Sequence, residues 1–186
     1  ERKYRQGTIS VYDTEAERFL YQATTPVDLF AGEVNVVRRE GSVFLFVTSR
    51  ASDTLGHFEV DEAAGDSAAH LTHVRTYDTF GNRAFAGDPY AIASDEDGIM
   101  VTHLAQGTLS RWGFRVDSPD TLDFQCALNV PGNISHIAKH PVVDLWYATD
   151  RFGGRIHTVE VLPANELVSG VTEGACEMNI VGGINA

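Results

Sequence analysis

The chain has 186 residues, 43% of them hydrophobic, and a formal charge of −12 from 26 acidic against 14 basic residues. That apolar share supports a packed core and excludes a disordered chain, and no apolar run approaches the ~20 residues of a membrane-spanning helix. With lysine only at Lys3 and Lys139 and no basic stripe, neither nucleic acid nor an anionic membrane is an expected partner, since both require phosphate neutralisation.

Short alternating runs begin at once. "GTISVYD" (7–13) predicts a strand, and a second run follows to residue 25. Four more follow in order, "VNVVRR", "VFLFVTS", "TLGHFEV" and "HLTHVRTY", filling 33–77. Between 88 and 130 come "YAIAS", "GIMVTH", "TLSRWGFRV" and "LDFQCALNV"; between 133 and 181 come "ISHIAK", "LWYATD", "RIHTVEV" and "ACEMNIV". They are rich in Val, Ile, Thr and aromatics and are separated by turn residues. In "SDEDG" (94–98) a hairpin turn with Gly98 at positive φ is expected, because the bidentate Glu of a calcium loop is absent at the twelfth position, which is Gln106. No 3.6-residue apolar stripe is sustained, and "ANELVSGV" is the best helix candidate.

The runs repeat. "VTSRASDTL" (47–55) returns as "VTHLAQGTL" (101–109) and as "ATDRFGGRI" (148–156), so Thr48, Thr102 and Thr149 align, as do Leu55, Leu109 and Ile156, at steps of 54 and 47 residues. Ile9 stands 46 residues before Leu55 and makes the opening run a partial fourth copy. A second ladder sets "FAGEVNVV" (30–37) on "FAGDPYAI" (85–92) at a shift of 55, then on "VPGNISHI" (130–137) at 45 and "IVGGINA" (180–186) at 50. The last shift carries Cys126 onto Cys176; a disulfide between them and two buried thiols both remain open. Four antiparallel strands per unit of this length predict an all-β chain of β-propeller blades, in which the first strand lines a central channel and the fourth lies at the rim. The opening pair supplies only third and fourth strands, and Ile184 is expected to begin a further first strand. About three and a half blades result, so the remaining blades are expected in residues outside this chain or in a partner.

At "FVTSRASDTLGHFEVD", "MVTHLAQGTLSRWGFRVD" and "YATDRFGGRIHTVEVL" the chain resembles the YVTN-type, lactonase-like propeller repeat, with Asp61 and Asp117 at its closing Asp and Leu162 departing from it. The Asn that follows Thr in that repeat is replaced by Ser49, His103 and Asp150. The resemblance implies a periplasmic or extracellular protein and a functional loop face at the channel mouth. On that face the expected ligand- or partner-binding residues are Arg50, Arg83, His103, His136, Asp150 and Arg151, rimmed by Phe30, Phe80 and Phe85. Those phenylalanines equally suit the joints between blades.

Seven histidines show no ligand spacing, and neither metal nor cofactor is expected; His57 and His157 fall near matched third-strand positions, as blade packing would require. No GxSxG, P-loop or HExxH motif is present. A non-catalytic scaffold presenting this face to a protein partner or an anionic small ligand is therefore expected first. A lactonase-like hydrolase using Arg50, His103 and Arg151, with the rest of its site on absent blades, is the alternative. An electron-transfer or metalloenzyme-associated subunit stands third.

Overall fold

The computed structural model describes residues 5–79, 87–118, 120–163 and 176–185. The first blade is a pair of strands, β1 (Gln6–Asp13) and β2 (Arg18–Leu29). The second holds β3 (Ala31–Arg39), β4 (Ser42–Ser49), β5 (Thr54–Val60) and β6 (Leu71–Asp78). In the third are β7 (Pro89–Ser94), β8 (Gly98–His103), β9 (Thr108–Phe114) and β10 (Leu122–Asn129). The fourth comprises β11 (Ile134–Lys139), β12 (Leu145–Asp150), β13 (Arg155–Pro163) and β14 (Cys176–Asn185). Each four-stranded sheet is an antiparallel meander in chain order.

The blades pack face to face, and the core lies between them. Between the first and second blades, Ile9 and Val27 meet Leu45, Val47, Phe58 and Leu71. Between the second and third, Phe46, Leu55 and Tyr77 meet Ile99, Val101 and Trp112. At the last joint Met100 and Leu109 meet Trp146, Ala148 and Val159. The repeat steps therefore have a packing cause: Leu45, Ile99 and Trp146 face the blade before, while Phe46 and Met100, one residue on, face the blade after. Because successive side chains on a strand point to opposite faces, a middle strand with a blade on each side is buried on both, its few polar side chains included. The whole of β8 and of β9 is buried.

Register bears out the first ladder. Ser49 pairs with Thr54, His103 with Thr108 and Asp150 with Arg155, closing three like hairpins. The second ladder needs correction. Backbone bonds from the hairpin turns reach the carbonyls of Phe30, Asp88 and Asn133, so the counterpart of Phe30 is Asp88, three residues beyond the position in "FAGDPYAI" aligned with it. Nor does Ile184 begin a further blade. It pairs with Ile156 inside β14, which runs unbroken along β13. The two cysteines are not counterparts either: Cys126 lies opposite Arg111, whereas Cys176 lies opposite Pro163. They form a disulfide, with Cα atoms 5.4 Å apart, that ties the rim strands of the third and fourth blades.

Gly98 is not among the residues of positive φ. It is glycine because a Cβ there would run into the Trp112 carbonyl and the Gly113 Cα, across a Gly98–Gly113 pair. The turn itself is built by Asp95, whose carboxylate accepts from the N–H groups of Asp97 and Gly98 (3.0 and 2.9 Å) and from the Arg111 guanidinium (2.7 Å). The helix candidate "ANELVSGV" lies outside the described residues.

Candidate functional face

One end of the arc gathers the turns between second and third strands with the segments leading into first strands. Arg50 N–H donates to the Phe30 carbonyl (3.0 Å), Leu104 N–H to that of Asp88 (3.0 Å) and Arg151 N–H to that of Asn133 (2.9 Å). The outer side repeats too: Thr79 N–H donates to the Asp53 carbonyl (2.9 Å) and Val130 N–H to that of Gly107 (2.7 Å). Asp53, Gly107 and Gly154 each close their turn in the left-handed region, as Phe30 and Asp88 do ahead of β3 and β7. The expected face is thus a repeated backbone lattice.

Its side chains are largely engaged within that lattice. Arg50 donates from Nε and Nη2 to the two Asp88 carboxylate oxygens (2.6 and 3.1 Å), and its guanidinium lies 4.7 Å from the Phe30 ring and 4.5 Å from the Tyr90 ring. Asp88 N–H in turn donates to the Asp53 carboxylate (2.7 Å). Planar, forked and weakly hydrated, an arginine suits such a sandwich. Arg50 therefore joins the second blade to the third and points into that joint.

His103 is fully buried, so it does not open on this face; its Nε2 lies 2.7 Å from Ser110 Oγ. The pair has the spacing of a base and a nucleophile, but Ser110 is equally buried and its oxygen also accepts from the Trp112 indole N–H (2.9 Å). Neither side chain reaches solvent. Sequence pattern alone misses this because the last position of a second strand can turn inward or outward.

The Asp150 carboxyl is held below the usual carboxylate range, first by the Gly153 N–H and then by that of Asn133. It accepts from the Asn133 and Phe152 N–H groups (3.0 and 3.1 Å), fastening the turn to the blade entry. His136 is exposed on β11, with Nδ1 3.1 Å from Ser135 Oγ and its ring 6.3 Å from that of Tyr90. Arg151 is exposed, its guanidinium 5.5 Å from the ring of Phe152, which is itself 76% exposed. Arg83, Phe80 and Phe85 lie outside the described residues.

The structure brings the turns of Arg50, His103 and Arg151 to one end but not their side chains to one cavity. Two hollows of about 620 and 650 Å³ lie away from those three side chains, the first beside Asp95, Lys139 and Asp144 and the second on the free side of the fourth blade, where His136 lines it. Among the described residues, no group of three His, Cys, Asp or Glu side chains is placed to hold a metal. No helix among them is long and apolar enough to cross a membrane.

Neither a family model nor a curated protein sequence matches the chain. Solved structures do. A Lactobacillus plantarum protein matches 95% of the chain at a TM-score of 0.70 and 12% identity, over 48% of its own length. A candidate 6-phosphogluconolactonase from Bacteroides fragilis matches 87% at 0.65 and 11% identity, over 41% of its length. The β-propeller domain of Cps50 (Swd1) from Myceliophteria thermophila matches 82% at 0.59 and 16% identity, over 44% of its length. The fold is that of a β-propeller. The chain is an open arc of that ring and spans about half the length, or less, of the solved structures it matches.

Proposed function

We propose that the chain is part of a non-catalytic propeller scaffold of the YVTN type, offering the Arg151–Phe152 end of its turn face to a protein partner or an anionic small ligand. One observation carries this reading: Arg50, His103 and Asp150 are engaged in joints, core and turn, whereas Arg151 stands exposed beside an exposed aromatic ring. A guanidinium flanked by an aromatic suits a carboxylate or phosphate. The Cys126–Cys176 disulfide supports export to an oxidising compartment.

The hydrolase alternative draws on the likeness to candidate 6-phosphogluconolactonases from two Bacteroides species. Titration with citrate and inorganic phosphate, followed at the Phe152 amide by NMR, separates the two. The scaffold reading expects a saturable shift that Arg151→Ala abolishes, with no opening of 6-phosphogluconolactone above its spontaneous rate. Lactone hydrolysis that Arg151→Ala removes would establish the alternative.

A further inference from the structure

We propose that the Asp88–Pro89 peptide bond is a latent self-cleavage site, cut by the Asp88 carboxylate itself, and that Arg50 is the catch that restrains it. This stands independently of the turn-face reading.

The backbone supplies the first argument. The chain holds one Asp–Pro step, and the fold places it at the entry to the third blade. The residue before a proline is pushed toward extended backbone, and a side chain makes the left-handed region costly. Asp88 nevertheless has φ 57°. Its counterpart Phe30 shares the left-handed conformation but precedes Ala31, so it escapes the second conflict. Strain of this kind is released when the bond breaks.

The polar groups supply the second. Asp88 N–H donates to the Asp53 carboxylate (2.7 Å) and Gly87 N–H to the Gln106 side-chain oxygen (3.2 Å), which fixes the chain ahead of the bond. Leu104 N–H donates to the Asp88 carbonyl (3.0 Å), the oxygen on which charge develops when its carbon is attacked. The nucleophile is carried by the same residue, so no encounter is needed. Arg50 opposes it: with Nε and Nη2 at 2.6 and 3.1 Å, it occupies both carboxylate oxygens.

The step balances with water alone. One carboxylate oxygen bonds to the Asp88 carbonyl carbon, the C–N bond to Pro89 breaks, and the proline nitrogen leaves with a proton from solvent. Water then opens the cyclic anhydride, leaving two carboxyl groups on Asp88 and a secondary ammonium on Pro89. The Asp88 side chain keeps 27% exposure, so water has access. The ionisable side chains around the bond are Arg50 and Asp53 on the preceding turn, Glu33 on β3, His103 opposite Pro89, and Tyr90 with His136 beside it.

The cut would leave the joint assembled. Beyond the bond, the Thr48 hydroxyl donates to the Tyr90 carbonyl (2.8 Å) and Ile92 N–H to the Glu33 carboxylate (3.1 Å), so β7 stays fastened to the second blade.

The test follows the purified chain by intact mass in mildly acid buffer with protease inhibitors. Folded Arg50→Ala should yield fragments 1–88 and 89–186 about tenfold faster than the same variant unfolded in urea. The folded parent chain should be cut more slowly than its own unfolded form. Adding Pro89→Ala to Arg50→Ala should stop the cut, and the two fragments should co-elute without denaturant. If folded Arg50→Ala is cut no faster than its unfolded form, the bond has only the ordinary acid lability of its kind and the proposal fails. It fails equally if the folded parent and Arg50→Ala are cut alike. Should Arg50→Ala not fold, Arg50→Lys decides by the same comparison, with a rate above the parent's expected and the parent's own rate overturning the proposal.

Discussion

Arg50 illustrates how a residue with the chemistry of a ligand site can serve the architecture. Its fork is matched to Asp88, both about three-quarters buried, with an aromatic ring near each face. Removing one partner leaves the other partly desolvated, so Asp88→Asn and Arg50→Ala should each cost about 1–3 kcal/mol in urea denaturation. Arg50→Lys should restore only part, since an ammonium lacks the second donor and the planar stack. His57 makes a different case. Its ring lies 4.5 Å from that of Phe46 and 6.3 Å from that of Tyr77, and burial pushes its pKa down to about 4, against a smaller opposing pull from Asp120. The unfolded chain therefore takes up this proton first as pH falls. The stabilisation is complete above about 6.5 and is lost progressively toward pH 4, up to about 3 kcal/mol. Urea midpoints measured from pH 7 to 4 should fall accordingly, and His57→Leu should flatten that part of the profile.

At the scale of strands and turns, what could be read in the sequence depended on whether a local constraint recurs. Thr48, Thr102 and Thr149, with Leu55, Leu109 and Ile156, sit where hairpin register and joint packing both act, so their spacing is legible. The entries to the first strands carry only a backbone requirement. Phe30 and Asp88 share a left-handed conformation and a carbonyl acceptor without sharing a side chain, and the look-alike "FAG" drew the alignment three residues away. Gly98 was legible as a glycine but not for its reason, which lies in the approach of β9 rather than in φ. Gly98→Ala should therefore destabilise the third blade by about 1–3 kcal/mol through overpacking, whereas Gly41→Ala, with nothing near its Cβ, should cost only the strain of its positive φ. Thermal unfolding of the pair, read as the difference between them, checks this. At the rim, Cys126→Ser should lower stability by about 2–4 kcal/mol, visible as a fall in Tm that reductant reproduces in the parent protein.

Across the whole molecule, the repeat made the architecture legible, because each joint reuses one packing solution. The candidate site was less so: whether Arg50 or His103 faces solvent depends on which blade stands beside it, a relation no single repeat encodes. The joints also differ in what holds them beyond apolar contact. The joint between second and third blades has an ion pair and the Thr48 and Glu33 bonds near the channel, whereas the next has a covalent bridge at the rim. The arc thus has separately addressable weak points. Concentrated salt should therefore weaken the middle joint through its ion pair, and a thiol should loosen the last one through its disulfide, so two mild reagents should reach two different joints of one arc.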